Sequence, residues 1–389
     1  MRYTIYSLLV IILLLNCGKG DDELNEYPPP LTDVTTLEMS FGADNVPDEF
    51  LIFRSYGLCV TNTGDVCDAE SNNVIVYDKN GKPKTILGQQ GQGPGDFQSA
   101  TRPTVSPAGY LTVLDISYKM NIYSPELDFI NTINLNTGFL YRSFINEISR
   151  SSLSIKKAFA INENDKIIHC NTSASSSETP FFEYNMILYE KNGYIYALAD
   201  YNSKSRVRVG WQRMTIPTPF DGNLYCDMLT NNRVIYTHTD YDFIVENNQG
   251  YYILNIVSLE NLEVKKIKHN YTPQKITRKD KKEHENYFKS TIGQVAKEAL
   301  DDKEYIPHVI GIFTDRNFAF VYTTIMRENA DKREFIVDVF DIDKGKYIRS
   351  AYMPFYSAIK DGYVYDIGSN EEGFAEIQKL KLDLALYGK

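Results

Sequence analysis

The stretch VYDKNGKPKTILGQQGQGPGDF, residues 76–97, decides the predicted fold of this chain. It opens with an apolar strand that ends in an aromatic residue and an acid, Tyr77-Asp78. Asn80-Gly81 supplies the positive φ angles of a tight hairpin turn, and a second strand follows. The glycine-rich run 88–95 then allows a sharp reversal of the backbone. A phosphate-binding loop would need Lys and Ser or Thr at the start of a helix, and neither follows, so we predict a crossover between sheets.

The same strand–turn–strand unit recurs along the chain. Copies lie at residues 188–193 and 339–346, with a looser copy at 121–126. A second pattern, a Gly-containing turn before an alternating strand closed by Asp, is clearest in SPAGYLTVLD, residues 106–115. Four antiparallel strands within about 45 to 60 residues are typical of a β-propeller blade.

Counting these units predicts an all-β fold, a six-bladed β-propeller with four-stranded antiparallel blades. The predicted units lie near residues 57–87, 103–135, 153–200, 223–269, 307–352 and 354–384. The last of them reads as three strands, Ala351–Ile359, Tyr363–Ile367 and Phe374–Leu382. The extended segment Asp33–Phe41 precedes them all. We expect this N-terminal strand to pair with the last blade and close the ring, because an unpaired blade would leave open edges. Blade boundaries within 140–270 stay open.

Residues 76–97 and 106–115 also resemble a known family. They are similar to the six-bladed propeller lipoproteins of gut Bacteroidetes, relatives of NHL and TolB-like propellers, in which a GxGPGE/D-F loop joins successive blades. The resemblance is strongest over 57–135 and weaker over 305–384. It implies the fold and the cellular location but no activity.

One segment departs from the β pattern. Residues 277–300 are rich in helix formers, and Thr277 with Asp280 matches a capping box. The apolar residues of this segment share one helical face: Phe288, Ile292, Val295, Ala296 and Ala299. We predict a helical insertion near 277–300, between the fourth and fifth blades. Its basic run, residues 278–282, either contacts anionic ligands or lipopolysaccharide or forms a solvated helix face.

The N-terminus predicts export and a lipid anchor. Leu8–Leu15 is apolar but too short to span a bilayer as a helix, which is typical of a signal peptide. Leu14-Leu15-Asn16-Cys17 resembles a lipobox, whose cysteine is diacylated, although Asn16 replaces the usual small residue. An ordinary secretory signal is the alternative. We expect a signal peptide at 1–16, a lipidated tether at 17–32 attached through Cys17, and the β-propeller domain at 33–389.

The tether favours the outer face of the outer membrane. Gly18–Glu23 contains a lysine followed by acids and resembles the export signal of Bacteroidetes surface lipoproteins. Pro28–Pro30 forms a stiff spacer. We therefore expect an outer-membrane, lipid-anchored and surface-exposed protein that touches the membrane through its acyl chains alone.

Few residues carry a signal for chemistry. The net charge of −10 argues against a nucleic-acid partner. The five histidines form no ligand motif: His169, His238, His269, His284 and His308. Asp341–Gly345 resembles the start of a calcium loop but lacks the later ligands, so a hairpin turn is the better interpretation. We predict no catalytic, metal-binding or cofactor-binding residues.

Four cysteines remain after removal of the signal and the lipidated residue. Export permits their oxidation, and the spacing of Cys59 and Cys67 would suit a local bridge between adjacent strands. The alternative is that these two, with Cys170 and Cys226, are small buried hydrophobic residues. The sequence leaves both open.

Two functions compete at this stage. The favoured one is a monomeric, noncatalytic binding module for a glycan, a peptide or a partner envelope protein, in which exposed tyrosines stack on the ligand: Tyr194, Tyr196, Tyr251 and Tyr252. The alternative is a propeller hydrolase or lyase with a divalent metal in the central channel. Clustered acids with a histidine at the channel would favour the enzyme, and an apolar or aromatic groove would favour binding.

Overall fold

The computed structural model describes the following residues: 28–43, 46–135, 139–147, 150–174, 183–203, 206–209, 214–217, 220, 222–287, 301, 303–329 and 332–389. Cys17 and the predicted apolar helix face at 288–300 lie outside the described residues.

Short antiparallel strands make up most of the described chain. The strands of the first half are β1 (Thr35–Phe41), β2 (Leu58–Val60), β3 (Val66–Ala69), β4 (Val74–Tyr77), β5 (Pro83–Leu87), β6 (Ala100–Val105), β7 (Leu111–Asp115), β8 (Lys119–Tyr123), β9 (Phe129–Asn134), β10 (Arg150–Ala160), β11 (Lys166–Ala174), β12 (Glu183–Lys191) and β13 (Tyr194–Asn202). Helix α1 (Phe139–Glu147) lies between β9 and β10, and a 3-10 helix covers Asp48–Phe50.

The second half repeats this organisation. Its strands are β14 (Arg206–Val209), β15 (Met214–Pro217), β16 (Leu224–Leu229), β17 (Arg233–His238), β18 (Phe243–Glu246), β19 (Gln249–Ser258), β20 (Val264–Tyr271), β21 (Val309–Asp315), β22 (Phe318–Asn329), β23 (Lys332–Asp341), β24 (Lys346–Met353), β25 (Ala358–Lys360), β26 (Tyr363–Ser369) and β27 (Ala375–Leu382). Helix α2 (Arg278–Tyr287) follows β20, and a 3-10 helix at Leu384–Tyr387 ends the chain.

These strands form a six-bladed β-propeller, as the sequence predicts. The blades are β2–β5, β6–β9, β10–β13, β16–β17–β19–β20, β21–β24 and β25–β27 with β1. The first strand of each blade is the innermost, because β2 contacts β6 and β25, β6 contacts β10, and β21 contacts β16 and β25. The chain therefore passes from the axis to the rim in every blade and then crosses to the next.

The N-terminal strand closes the ring, which confirms the predicted role of Asp33–Phe41. β1 pairs antiparallel with β27 from Thr35↔Leu382 to Phe41↔Ile377. Just before it, the Leu31 N–H donates to the Ser350 carbonyl at 2.9 Å, and the Tyr352 N–H donates to the Leu31 carbonyl at 2.8 Å. Residues 31–41 thus join the outer strands of the fifth and sixth blades.

Hydrophobic cores fill the spaces between neighbouring blades. The described residues form six buried clusters, one at each blade–blade junction, including the junction of the sixth blade with the first. The aromatic residue at or near the end of the third strand is part of this packing: Tyr77, Tyr123, Tyr189 and Phe340 are all buried. The recurring aromatic–acid pair therefore has a structural explanation, in which the ring packs inward and the acid lies at the end of the strand or at the start of the turn.

The glycine-rich run of the opening stretch is the first crossover. Gly88 has φ +70°, and a Cβ there would lie 2.5 Å from the Gly95 carbonyl oxygen and 2.5 Å from the Phe97 ring. Phe97 is fully buried in the core between the first two blades. Glycine is required because the loop folds back on itself around this inserted ring.

The structure corrects one boundary and adds elements that the pattern missed. Residues 351–353, predicted to begin the sixth blade, belong to β24 of the fifth, and β25 begins only at Ala358. Pro354 cannot donate to a strand ladder and ends β24. The hairpin β14–β15 and the extra strand β18 fall within 140–270, where the predicted boundaries were open, and helix α1 begins one residue before that range.

The predicted helical insertion begins where its capping box places it. Asp280 accepts hydrogen bonds from the Thr277 N–H and hydroxyl, both at 2.7 Å, and Thr277 Oγ1 accepts one from the Asp280 N–H at 3.3 Å. α2 then starts at Arg278, between the fourth and fifth blades.

In the described part of the chain, no helix combines the length and the hydrophobicity needed to cross a bilayer.

Removing β1 tests the ring closure. A chain that starts at residue 46 should lose on the order of 5 kcal/mol of unfolding free energy, because the six paired positions of β1 and the buried Val34 are absent. It should also aggregate through the exposed edge of β27. Urea unfolding and light scattering measure both effects. A chain that starts at residue 28 is the control, and equal stability of the two chains would contradict closure by β1.

Candidate ligand site in the axial cavity

Strand order fixes the end of the ring at which each connection lies. The four strands of a blade alternate in direction between the two ends of the ring. The connection between strands two and three therefore lies at the same end as the crossover to the next blade. α1, the β14–β15 hairpin, β18 and α2 all occur in such connections. We call this end the insertion face. The opposite end, the hairpin face, carries the tight turns after strands one and three.

A cavity of about 650 Å³ lies on the ring axis. Every blade contributes residues to its lining from the innermost strand or from the segments that flank it: Tyr56–Val60 and Asn62, Arg102–Val105 and Pro107, Lys156, Lys157 and Phe159, Asp227, Met228 and Thr230, Phe313, Thr314 and Arg316, and Phe355–Asp361. A volume of this size is within the usual range for small-molecule sites.

Positive charge dominates the cavity, although the whole chain carries −10. Its lining contains five cationic and two acidic side chains: Arg102, Lys156, Lys157, Arg316, Lys360, Asp227 and Asp361. The cavity surface therefore has the opposite sign to the protein as a whole.

Three of the cations come together where the second blade meets the third. The Arg102 guanidinium donates to the Ile155 carbonyl at 2.9 Å, which brings Arg102 of β6 beside Lys156 and Lys157 of β10. Lys157 forms an ion pair with Asp227 of the fourth blade at 2.7 Å. Asp227 also accepts a 2.9 Å hydrogen bond from the Thr314 N–H, so this acid links three innermost strands.

Two β-bulges direct these cations toward the axis. The register of β6 shifts between Thr101 and Thr104, and that of β10 shifts between Ile155 and Lys157. A regular strand would point Lys156 and Lys157 to opposite faces, whereas both line the cavity. Arg102 has φ +49°, a left-handed conformation that a non-glycine residue adopts at a cost of about 1 to 2 kcal/mol.

A second charged group lies at the hairpin face. Arg316, in the turn after β21, contacts buried Asp315 at 3.2 Å and Asp361 at 3.8 Å. Lys360 donates to the Asn62 side-chain oxygen at 2.7 Å. Acids and an amide therefore balance much of the charge at this end.

Aromatic side chains form the opposite wall, on the fifth and sixth blades. Phe355 is 45% exposed and packs against Phe313, with ring centroids 5.5 Å apart, and against Tyr322, at 4.8 Å. The cavity thus presents cations on one side and apolar rings on the other.

A buried acidic pair fixes the segment that enters the cavity from the first blade. Glu70 accepts hydrogen bonds from the Phe53 and Arg54 N–H groups at 3.0 and 3.1 Å. Asp68 accepts one from the Ser55 hydroxyl, and burial raises the Asp68 pKa to about 7. A protonated Asp68 can donate to Glu70, so the two side chains hold the segment before β2 in place.

Among the described residues that line the cavity there is no histidine, and none of the four tyrosines expected to stack on a ligand is present. Burial lowers the pKa of His169 and of His238 to about 3 and that of His308 to about 4. Burial also lowers the pKa of His269. His284 is a residue of α2.

The tyrosines divide into exposed and buried positions. Tyr194 is 68% exposed at the outer rim, but Tyr252 is fully buried in the core of the fourth and fifth blades, so its predicted exposure is wrong.

The four cysteines are buried thiols, and Cys59 is directly opposite Cys67 on adjacent strands.

Among the described residues, no three or more His, Cys, Asp or Glu side chains gather as metal ligands. A metal enzyme was expected to show acids clustered with a histidine at the channel. The described lining instead presents cations and aromatic rings. Cations beside aromatic rings suit a ligand-binding surface.

A family model and one solved structure support the fold. A family model described as "6-bladed beta-propeller" matches residues 45–153. An exported protein from Bacteroides fragilis NCTC 9343 is similar in structure, with 13% identity, a TM-score of 0.51, and coverage of 91% of this chain and 98% of that one. A protein of unknown function from Bacteroides caccae matches at 9% identity and a TM-score of 0.35 over 77% and 82% of the two chains. No curated protein matches the chain.

Asp68→Asn tests the protonated acid. A carboxyl whose folded pKa is raised contributes stability that is complete below its unfolded value, near 3.8, and is lost as pH rises through about 7. Asn still accepts from Ser55 and donates toward Glu70. The stability of the variant relative to wild type should therefore rise between pH 4 and pH 8, by about 1.4 kcal/mol per unit of pKa shift.

Urea unfolding of both proteins across this pH range gives the difference directly. The buried histidines act in the opposite direction, because their lowered pKa values give stability that is lost as pH falls below about 6.5. This effect cancels in the difference between the two proteins. A pH-independent difference would show that Asp68 is ionised in the folded state.

Proposed function

We propose that this protein is an exported, lipid-anchored binding module that holds its ligand in the axial cavity. The observation that carries this proposal is the cavity itself, about 650 Å³ in volume and lined by residues of all six blades. The ligand is a glycan or a peptide, or the projecting segment of a partner envelope protein, and the propeller acts on it by binding alone.

The cavity has the rigidity that a preformed site requires. Asp115 accepts hydrogen bonds from the Gln98 and Ser99 N–H groups before β6, as Glu70 does before β2. Asp227 links the third, fourth and fifth blades. A site whose wall segments are fixed before binding loses little conformational entropy when the ligand enters.

The insertion face is the proposed side of approach. Binding residues often lie on loops, because a rigid scaffold positions the loops while their sequence is free to vary. α1, the β14–β15 hairpin, β18 and α2 all lie at this end, whereas the hairpin face consists of tight turns.

The lipid anchor is compatible with access to the cavity. Leu31 is fixed at the outer rim, beside β24, rather than over either mouth of the ring. The 14 residue steps from Cys17 to Leu31 span at most about 50 Å. We therefore propose that the propeller stands close to the outer-membrane surface with its axis free, as a monomer.

Metabolic labelling with palmitate tests the anchor. Wild-type protein expressed in a Bacteroides host should incorporate label and partition into the membrane, and Cys17→Ala should lose both, because the thiol is the attachment point. Cys226→Ala, which changes a buried thiol, is the matched control and should label normally. Equal labelling of Cys17→Ala and wild type would eliminate the lipoprotein assignment.

A cavity-filling substitution tests the binding function. The chain from residue 28 is screened on an array of acidic and neutral oligosaccharides and short peptides, and the affinity of the best hit is measured by calorimetry. Ser357→Trp places bulk at the cavity, so it should weaken that affinity at least about tenfold. Ser40→Trp adds the same bulk to exposed β1 and should change nothing. Equal affinity in both variants would show that the ligand binds elsewhere.

A further inference from the structure

Two cysteine side chains face each other in the first blade, beside the axial cavity. Cys59 of β2 lies directly opposite Cys67 of β3, and both are buried in the core between the first two blades. Cys59 also contributes to the lining of the cavity. Both are free thiols in the structure. The function proposed above uses neither thiol, although export would carry both into an oxidising space.

The strand register holds the two residues at a distance that a disulfide can span. Two residues beyond Cys59 along β2, the Thr61 N–H donates to the Asp65 carbonyl at 2.9 Å. Cys59 and Cys67 therefore occupy a hydrogen-bonded position of the same antiparallel ladder, where opposite Cα atoms lie about 5.5 Å apart. Disulfides join Cα atoms that are about 4.4 to 6.8 Å apart. Opposite residues also project from the same face of a sheet, so the two thiols point the same way.

The other two described cysteines have no cysteine opposite them. Cys170 of β11 is opposite Ile155 and Met186, and Cys226 of β16 is opposite Tyr236. Among the described strands, a cross-strand pair of thiols therefore occurs in the first blade alone.

We propose that Cys59 and Cys67 form a disulfide when the chain folds in the presence of an organic disulfide as oxidant. One cysteine thiolate attacks a sulfur of the oxidant, forms a mixed disulfide and releases one thiol. The second cysteine thiolate then attacks the cysteine sulfur of the mixed disulfide and releases the other thiol. The two cysteines lose two electrons to the oxidant, and their two protons end on the released thiols.

Burial places this reaction before the blade closes. Cys67 is fully buried and Cys59 is 7% exposed. Burial raises the pKa of Cys59 well above its ordinary value, and hydrogen bonding with the Cys67 thiol raises it further. Thiol–disulfide exchange requires a thiolate that the oxidant can reach. The folded, reduced protein should therefore react slowly, and a bridge formed during folding should resist reduction afterwards.

The bridge fixes one of the shortest strands of the cavity wall. β2 has three residues and pairs with β3 at three positions, and the cysteines occupy the middle one. This strand and the segment before it line the cavity through Tyr56–Val60. A covalent link at its centre holds that wall in place. The inference goes beyond the proposed function and rests on it only for the export of the chain.

Oxidative refolding tests the pairing. The chain from residue 28 is unfolded in urea with a reductant, refolded with oxidised glutathione and alkylated under denaturing conditions. Trypsin cleavage after Arg54 and Lys79 releases one peptide that contains both cysteines. Mass spectrometry should find this peptide unalkylated and lighter by two hydrogen atoms. Cys170 and Cys226 should be alkylated.

Reaction rate and thermal stability give two further measurements. Oxidised glutathione should oxidise the pair at least about tenfold more slowly in the native reduced protein than in urea. The oxidised form should melt about 3 °C above the reduced form, because the closed loop removes entropy from the unfolded chain. Cys59→Ala should abolish this difference, and Cys67→Ala repeats the test if the first variant is unstable. Cys226→Ala, which alters another buried thiol, is the matched control and should keep the difference.

The outcomes separate the pairing from the proposed export. Alkylation of both Cys59 and Cys67 after refolding, or a bridge to Cys170 or Cys226, would overturn the pairing wherever the protein resides. The same bridge in protein isolated from a Bacteroides host would support the pairing and the export together. If the bridge forms on refolding but the host protein has free thiols at both positions, the pairing stands and the result counts against export. The affinity of Ser357→Trp for the array ligand tests the cavity function independently.

Discussion

The structure depends on closing the ring between its two chain ends. Each blade buries its faces against two neighbours, so the core at one junction exists only if both sheets are in place. The sixth blade receives its outer strand from residues 35–41, and Leu31 extends the contact to the fifth blade. The cavity depends on the same closure, because its lining includes the innermost strands of the first and last blades. Fold stability and the ligand site therefore share one constraint, which the chain satisfies with a short segment close to its predicted lipid anchor.

Buried carboxylates turn that closed ring into a rigid frame. Glu70, Asp115 and Asp315 each accept backbone N–H groups from a loop at the edge of the ring. Asp315 does so across the junction of the fifth and sixth blades and also accepts from the Tyr387 hydroxyl, so the C-terminal residues brace the blade beside the N-terminal strand. Loop amides in a propeller have no strand partner, and a carboxylate can satisfy two of them at once. The recurring Asp and Glu that close the strands in the sequence pattern therefore include structural residues.

The sequence predicted the fold far better than the site, for a physical reason. Local rules act within a few residues: Asn-Gly turns, the alternating strands and the Gly88–Gly95 crossover identify each hairpin wherever it occurs. The cavity instead gathers residues as distant as Tyr56, Arg102 and Phe313, and no spacing in the chain reports their convergence. Arg102-Pro103 and Lys156-Lys157 were the available signals, since consecutive lysines in a strand are unusual unless a bulge directs both to one face. The insertions within 140–270 were missed because they interrupt the repeat rather than follow it.

The sign of the charge in the cavity lining distinguishes the ring axis from the chain as a whole. An acidic exterior needs only solvation, and the net charge of −10 keeps the chain soluble and apart from other acidic surfaces. If the side chains of the cavity followed the overall composition, acids would outnumber cations at the axis. Instead, a left-handed φ at Arg102 and a register shift between Ile155 and Lys157 accompany the cations that line the cavity. Strained residues and bulges that occur together in a cavity wall are typical of functional sites. Because Arg102 and Lys156 lie on two neighbouring blades and both line the cavity, these features belong to the axis of the ring and not to its outer surface.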